Sequence, residues 1–217
     1  MCIVVIAGGP NKDLTSLLPR LKTAESLICA DSGADALRPF GILPDEVWGD
    51  MDSISEDTRN WISENHIHTR LFPVEKDMTD SEICLRSVPK EKEILFVTSL
   101  LGRTDHVMAN LFLTMKLKEE GRRITATDGV TWVFPLRGQC RFDIPGHLVR
   151  EDYTCSLIPM GRGAEDVSTI GMKYPLSEKT ILPGSSLTVS NEFRMEEKEH
   201  GFTMSGGTVL VIVTPRS

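Results

Sequence analysis

Over the first 128 residues, short β-rich apolar runs alternate with stretches whose apolar residues recur at helical spacing. The strand-like runs are residues 3–7, 26–30, 46–48, 94–99 and 123–127. Such alternation predicts an α/β domain with a mostly parallel sheet and helices on its faces. Two helix starts carry capping-box spacing, Ser53 with Glu56 and Thr79 with Glu82. A third helix is predicted to begin near Asp105, to align Val107, Leu111 and Met115 on one face, and to stop at Gly121.

After Asp128 no helical period is visible. β-rich pieces at residues 130–135, 154–158, 186–189 and 208–213 are separated by Gly, Pro, Ser or charged turns, which predicts a small antiparallel sandwich or barrel. The expected division is residues 1–128 and residues 129–217.

Composition narrows the classes. A chain of 217 residues can hold two small domains, and no stretch approaches the roughly 18 apolar residues of a membrane span, so a soluble protein is expected. The opening M-C-I-V-V-I-A has no basic flank and runs into a glycine turn, as a first strand would and a signal peptide would not. The 5 cysteines form no C-x-x-C pair, which fits reduced thiols in the cytoplasm. A formal charge of −7 disfavours broad nucleic-acid binding, although local basic groups or a divalent cation can still admit a small phosphate ligand.

The candidate chemistry collects where predicted strands end, the edge at which open parallel sheets bind ligands. Asp31 follows the second run in A-D-S-G-A-D, and Asp50 and Asp52 follow the third in W-G-D-M-D-S. Asp77 and Asp80 lie in E-K-D-M-T-D-S-E, and Arg103, Asp105 and His106 in L-G-R-T-D-H. Each Asp is individually explicable as a cap or turn former. Their convergence on one edge would require a compensating cation, and magnesium suits carboxylate oxygens. With Lys76 and Arg103 to grip phosphate oxygens, these are the parts that phosphoryl transfer uses. An Arg103–Asp105 ion pair is the competing structural role for Arg103. Neither a P-loop, a G-x-G-x-x-G fingerprint nor a G-x-S-x-G elbow is present. His66 and His68 fit solvated surface better than a zinc site. From these residues alone, a magnesium-dependent phosphohydrolase and a non-enzymatic nucleotide sensor stand beside a kinase.

The string of motifs resembles the thiamine pyrophosphokinase family of bacterial type. The acidic glycine turn of residues 31–35, G-D-M-D-S at 49–53, D-M-T-D-S-E at 77–82 and G-R-T-D-H at 102–106 occur in the family's order. G-M-K-Y-P-L at 171–176 and V-S-N-E-F at 189–193 continue the match. Met51 stands where the family often has Phe. Leu101 replaces the first glycine of its G-G-R, a change expected to alter affinity rather than abolish activity.

The resemblance implies a Rossmann-like nucleotide domain, a β-sandwich that binds thiamine, and a homodimer with active sites shared between subunits. It implies ATP and thiamine as substrates and Mg2+ as cofactor. Asp50, Asp52 and Asp80 would be the metal ligands, with Asp77 in support. Asp31, Ser32, Asp35, Arg103 and Asp105 would face the nucleotide, and Ser190 and Asn191 the thiamine. Asp52, Asp80, Arg103 and Lys76 would carry catalysis. Trp132, Tyr174 and Phe193 are the aromatic candidates for stacking on thiamine, although such residues more often pack the core of a β domain.

Overall fold

The computed structural model describes residues 2–10, 13–73 and 77–216. The chain divides into two compact units, Met1–Val130 and Thr131–Ser217.

Among the described residues of the first unit six strands run parallel: β1 (Cys2–Ile6), β2 (Ser26–Ala30), β3 (Glu46–Gly49), β4 (His68–Leu71), β5 (Glu93–Val97) and β6 (Arg123–Thr127). Their order is β4-β3-β2-β1-β5-β6, so the direction of winding reverses between β1 and β5. Central β1 and β5 are buried along almost their whole length, which is why both read as unbroken apolar runs. Edge strand β4 is exposed throughout and shows no apolar alternation. It is held by a carboxylate on its neighbour: Glu46 Oε2 lies 3.0 Å from Arg70 Nε, 3.2 Å from His68 Nδ1 and 2.8 Å from Trp48 Nε1.

Among the described residues four α-helices connect these strands: α1 (Leu18–Lys22), α2 (Glu56–Glu64), α3 (Asp80–Ser87) and α4 (Thr104–Glu119). Thr79 caps α3 as its spacing predicts, with the Glu82 amide donating to Thr79 Oγ1 at 3.2 Å. For α2 the capping residue is Ser55, which accepts from the Thr58 amide, and not Ser53. Ser53 is drawn instead to Asp31, a tertiary contact that its spacing to Glu56 does not reveal. Along α4, Met115 is buried and Val107 and Leu111 are half-buried; Gly121 follows at φ 88°.

In the second unit all strand pairings are antiparallel: β7 (Trp132–Arg137), β8 (Cys140–Asp143), β9 (Tyr153–Ile170), β10 (Lys179–Ile181), β11 (Asn191–Glu192), β12 (Gly201–Met204) and β13 (Gly206–Pro215). The run expected at 154–158 is only the start of β9, an 18-residue strand. Gly161 and Gly163, beyond the end of that run, lie inside the strand with φ 56° and 89°. The backbone bends there, and β9 pairs first with β13 and later with β12. A side chain at 163 would run into the Ile181 carbonyl, so that position admits only glycine.

Candidate active site

The carboxyl ends of β2 and β3 converge on three acids. Asp31, Asp50 and Asp52 each offer an oxygen, and the three oxygens lie within 4.8 Å of one another. Two strained residues bring them together: Asp31 has φ 48° and Met51, between the other two acids, has φ 65°. Left-handed backbone of this kind costs about 1 kcal/mol per residue and gathers at functional sites. Gly49, with φ 152°, permits the approach, because a Cβ there would sit 3.0 Å from the Asp31 Cβ.

The electrostatics of the cluster are those of crowded anions. Burial pushes the Asp31 carboxyl above the ordinary carboxylate range, and the charges of Asp50, Asp80 and Asp52 push the same way against the Ser53 hydrogen bond. A hydrogen bond with Asp50, and then the charge of Asp50, raise Asp52. Asp31 Oδ1 is buried and has no hydrogen-bond partner among the described residues. A desolvated oxygen in that position is costly unless a cation satisfies it, and three converging carboxylate oxygens form the hard donor set that magnesium prefers. The cluster therefore fits a divalent cation.

A stability consequence follows for the cation-free protein. Because the folded-state pKa of Asp31 is raised, the folded state binds its proton more readily than the unfolded chain does. Stability therefore falls as pH rises through that window, and the penalty is complete above the raised pKa. Asp31→Asn removes the charge and tolerates the left-handed φ. In EDTA at pH 7 the variant is expected to melt a few degrees above the parent, with the advantage shrinking as pH falls below the raised pKa. A lower melting temperature at pH 7 would show that the cluster is not under electrostatic strain.

The other predicted residues divide. Asp80 opens α3 and adds its charge to both Asp31 and Asp52, whereas Asp77 is exposed. Lys76 lies outside the described residues. Ser32 packs against Gly8, where any Cβ would strike its hydroxyl. Asp35 accepts from Ser55 Oγ at 2.6 Å and so holds the start of α2. Arg103 forms a fork with Asp105, at 3.3 Å through Nε and 2.7 Å through Nη2, and both side chains are exposed. The hydrogen bond from Arg103 depresses Asp105. Leu101 is not among the residues with positive φ, so the missing family glycine imposes no strain there.

In the second unit the two motif segments are stitched together. Asn191 Nδ2 donates to the Tyr174 carbonyl at 2.7 Å, and its Oδ1 accepts from the Tyr174 amide at 3.0 Å. Lys173 pairs with Glu192 at 3.0 Å. Ser190 is exposed at φ 58° and its amide donates to Ser156 Oγ. Of the three aromatic candidates, Trp132 and Phe193 are buried at 6 % and 7 % exposure, while Tyr174 is 57 % exposed.

Two residues of the G-D-M-D-S motif, to which the sequence reading gave no role in the site, contribute to it. Ser53, bonded to Asp31, had been absorbed by a capping pattern, although its place directly after D-x-D was a usable signal. Gly49 opens that motif and declares its role only through its contact with Asp31.

Comparison with known proteins agrees with these features. Residues 18–126 match the thiamin pyrophosphokinase catalytic domain, and residues 142–209 match the thiamin pyrophosphokinase vitamin B1 binding domain. A thiamine pyrophosphokinase of Bacillus subtilis is 28 % identical over 218 residues, covering 97 % of each chain. The crystal structure of thiamine pyrophosphokinase from that organism superposes with a TM-score of 0.80 over 100 % of both chains. The corresponding structure from Geobacillus thermodenitrificans, also 28 % identical, gives 0.79 over 100 % of this chain and 99 % of the other. With both family domains matched in order along one chain, this protein belongs to the thiamine pyrophosphokinase family.

Proposed function

We propose that this chain's transfer of diphosphate from ATP to the hydroxyl of thiamine, the activity of its family, is centred on the carboxylates of Asp31, Asp50 and Asp52. The observation that carries this reading is the buried Asp31 Oδ1, which has no hydrogen-bond partner among the described residues and is crowded by two further acids. Those three residues would hold Mg2+, with Asp80 beside them and Asp77 in support. When bound, the ion supplies charge neutralisation at the diphosphate oxygens.

The chain's own groups supply the positioning. Arg103 presents a planar fork at the start of α4, and it turns from Asp105 toward phosphate oxygens when nucleotide arrives; Asp105 holds the fork ready until then. Ser32, Asp35 and Lys76 are assigned to the same nucleotide side. The thiamine hydroxyl oxygen forms a bond to the β-phosphorus as the bond from that phosphorus to the oxygen bridging it to the α-phosphate breaks; AMP leaves with the electron pair, and the hydroxyl proton is released to solvent. Alignment and electrostatics provide most of the rate.

Thiamine is assigned to the second unit, at Ser190, Asn191 and the exposed ring of Tyr174. Asn191 fixes the backbone that carries this ring, and an aromatic face is a suitable surface for a cationic heterocycle. In the same reading the first unit is a Rossmann-like ATP-binding domain and the second a β-sandwich, supported by the parallel order with its reversal beside β1 and by the change of partners along β9. The active form is a homodimer whose sites combine residues of both subunits, and the cysteine thiols support a cytoplasmic location.

Incubation with ATP and Mg2+, with and without thiamine, tests the reaction. AMP is expected only with thiamine, in step with thiamine diphosphate. Equal AMP or ADP release without thiamine would identify a phosphohydrolase, and binding without turnover a sensor.

A further inference from the structure

Arg122 lies in the turn between α4 and β6 and is only 7 % exposed, a rare place for a guanidinium. Its Nη1 donates to the Val88 carbonyl and its Nη2 to the Arg86 carbonyl at 2.9 Å. Both carbonyls belong to the C-terminal end of α3, where backbone acceptors lack helical partners and a cation is favoured. The Nε has no hydrogen bond among the described residues, so burying this group is costly, and what offsets the cost is the grip on α3. A second arginine fastens the same end from outside. Arg86 Nε donates to Glu82 at 2.8 Å, and its Nη1 to Glu120, beyond the end of α4, at 3.0 Å.

The remaining support of α3 is of another kind. Cys84 and Leu85 are fully buried beneath it. Apolar packing is non-directional and resists lifting better than sliding along the axis; hydrogen bonds to fixed carbonyls resist sliding. The helix has eight residues, about 12 Å, and so moves as one rod. Asp80 stands at its other end, beside the carboxylate cluster.

We propose that Arg122 is a positioning residue: by fastening the C-terminal end of α3 it sets where Asp80 stands relative to Asp31, Asp50 and Asp52, and thereby the affinity of that cluster for a divalent cation. The inference rests on reading the cluster as a cation site.

The test uses Arg122→Met, which keeps the stem and loses the donors, and Arg122→Lys, which keeps one donor. Mn2+ is titrated into the full chain, with and without a non-hydrolysable ATP analogue, and free ion is followed by electron paramagnetic resonance. Arg122→Met is expected to bind Mn2+ about tenfold more weakly, the usual scale for losing an outer support of a metal site. The Mg2+ concentration for half-maximal rate rises equally, and kcat at saturating Mg2+ stays near the parent value. Arg122→Lys falls between. Where Arg122→Met does not fold, Arg86→Met, which cuts the half-exposed outer clip, gives the same readout. Folded variants with unchanged Mn2+ affinity, whatever their melting temperature, would overturn the proposal. Failure of the unmutated protein to bind Mn2+ would instead remove the cation reading, and amide exchange along α3 would then judge the clip: slow exchange in Arg122→Met would overturn it too.

Discussion

Asp52→Asn is expected to leave a folded protein with thiamine-dependent AMP release reduced on the order of a hundredfold or more, the scale of several kcal/mol of lost charge stabilisation in the transition state. The amide keeps the shape of the side chain but removes one of three converging charges. Asp52 is exposed, and its own amide donates to Asp50 Oδ1 at 3.1 Å, a backbone bond that the substitution leaves in place. Folding should therefore be intact, and crowding of the other acids relieved. The measurement is kcat/KM for ATP across a Mg2+ series, with thermal melting as the control. Activity near the parent value at limiting Mg2+ would remove Asp52 from the site.

Co-expressing an Asp52→Asn subunit with an Asn191→Ala subunit is expected, at a thiamine concentration near the unmutated protein's KM, to restore activity well above that of either parent. The candidate metal and phosphate residues all precede residue 107, and the candidate thiamine residues all lie in the second unit. If sites are completed across subunits, one of the two in a mixed dimer combines unmutated halves and the other combines both lesions. Asn191→Ala is the suitable partner because it removes both bonds to the Tyr174 backbone. Ser190 is less suitable, since its φ of 58° would add backbone strain to any bulky replacement. Alone, Asn191→Ala should raise KM for thiamine strongly and leave KM for ATP nearly unchanged. Two affinity tags isolate the mixed species, whose rate should approach half that of the unmutated dimer. A purified mixed dimer no more active than its parents would place each site within one chain.

Elements that bury an apolar surface were legible in advance, because their pattern is the record of that burial. β1, β2, β5 and β6 fall close to their apolar runs, and α3 starts at the cap its spacing announces. β4 is absent from the apolar runs of the sequence, since H-T-R-L buries nothing. It exists because Glu46 on β3 collects Arg70 and His68. The length of β9 was hidden by two glycines that bend the strand beyond the end of its apolar run.

The acids themselves were legible for a chemical reason: carboxylates repeated at strand ends are costly without a cation, so the residue types alone pointed to metal and phosphate. By itself the sequence determined the alternation of elements and the motif order that marks the family, and it named candidate residues for the chemistry. Only the tertiary structure decided which of them meet. It joined Asp31 to Asp50 and Asp52, moved Ser53 from a helix cap to a carboxylate, buried Trp132 and Phe193 while leaving Tyr174 open, and set Arg122 against the end of α3. The reason is that spacing along a chain encodes local geometry, whereas contacts between residues tens of positions apart depend on strand order and on a few strained φ angles that no local pattern specifies.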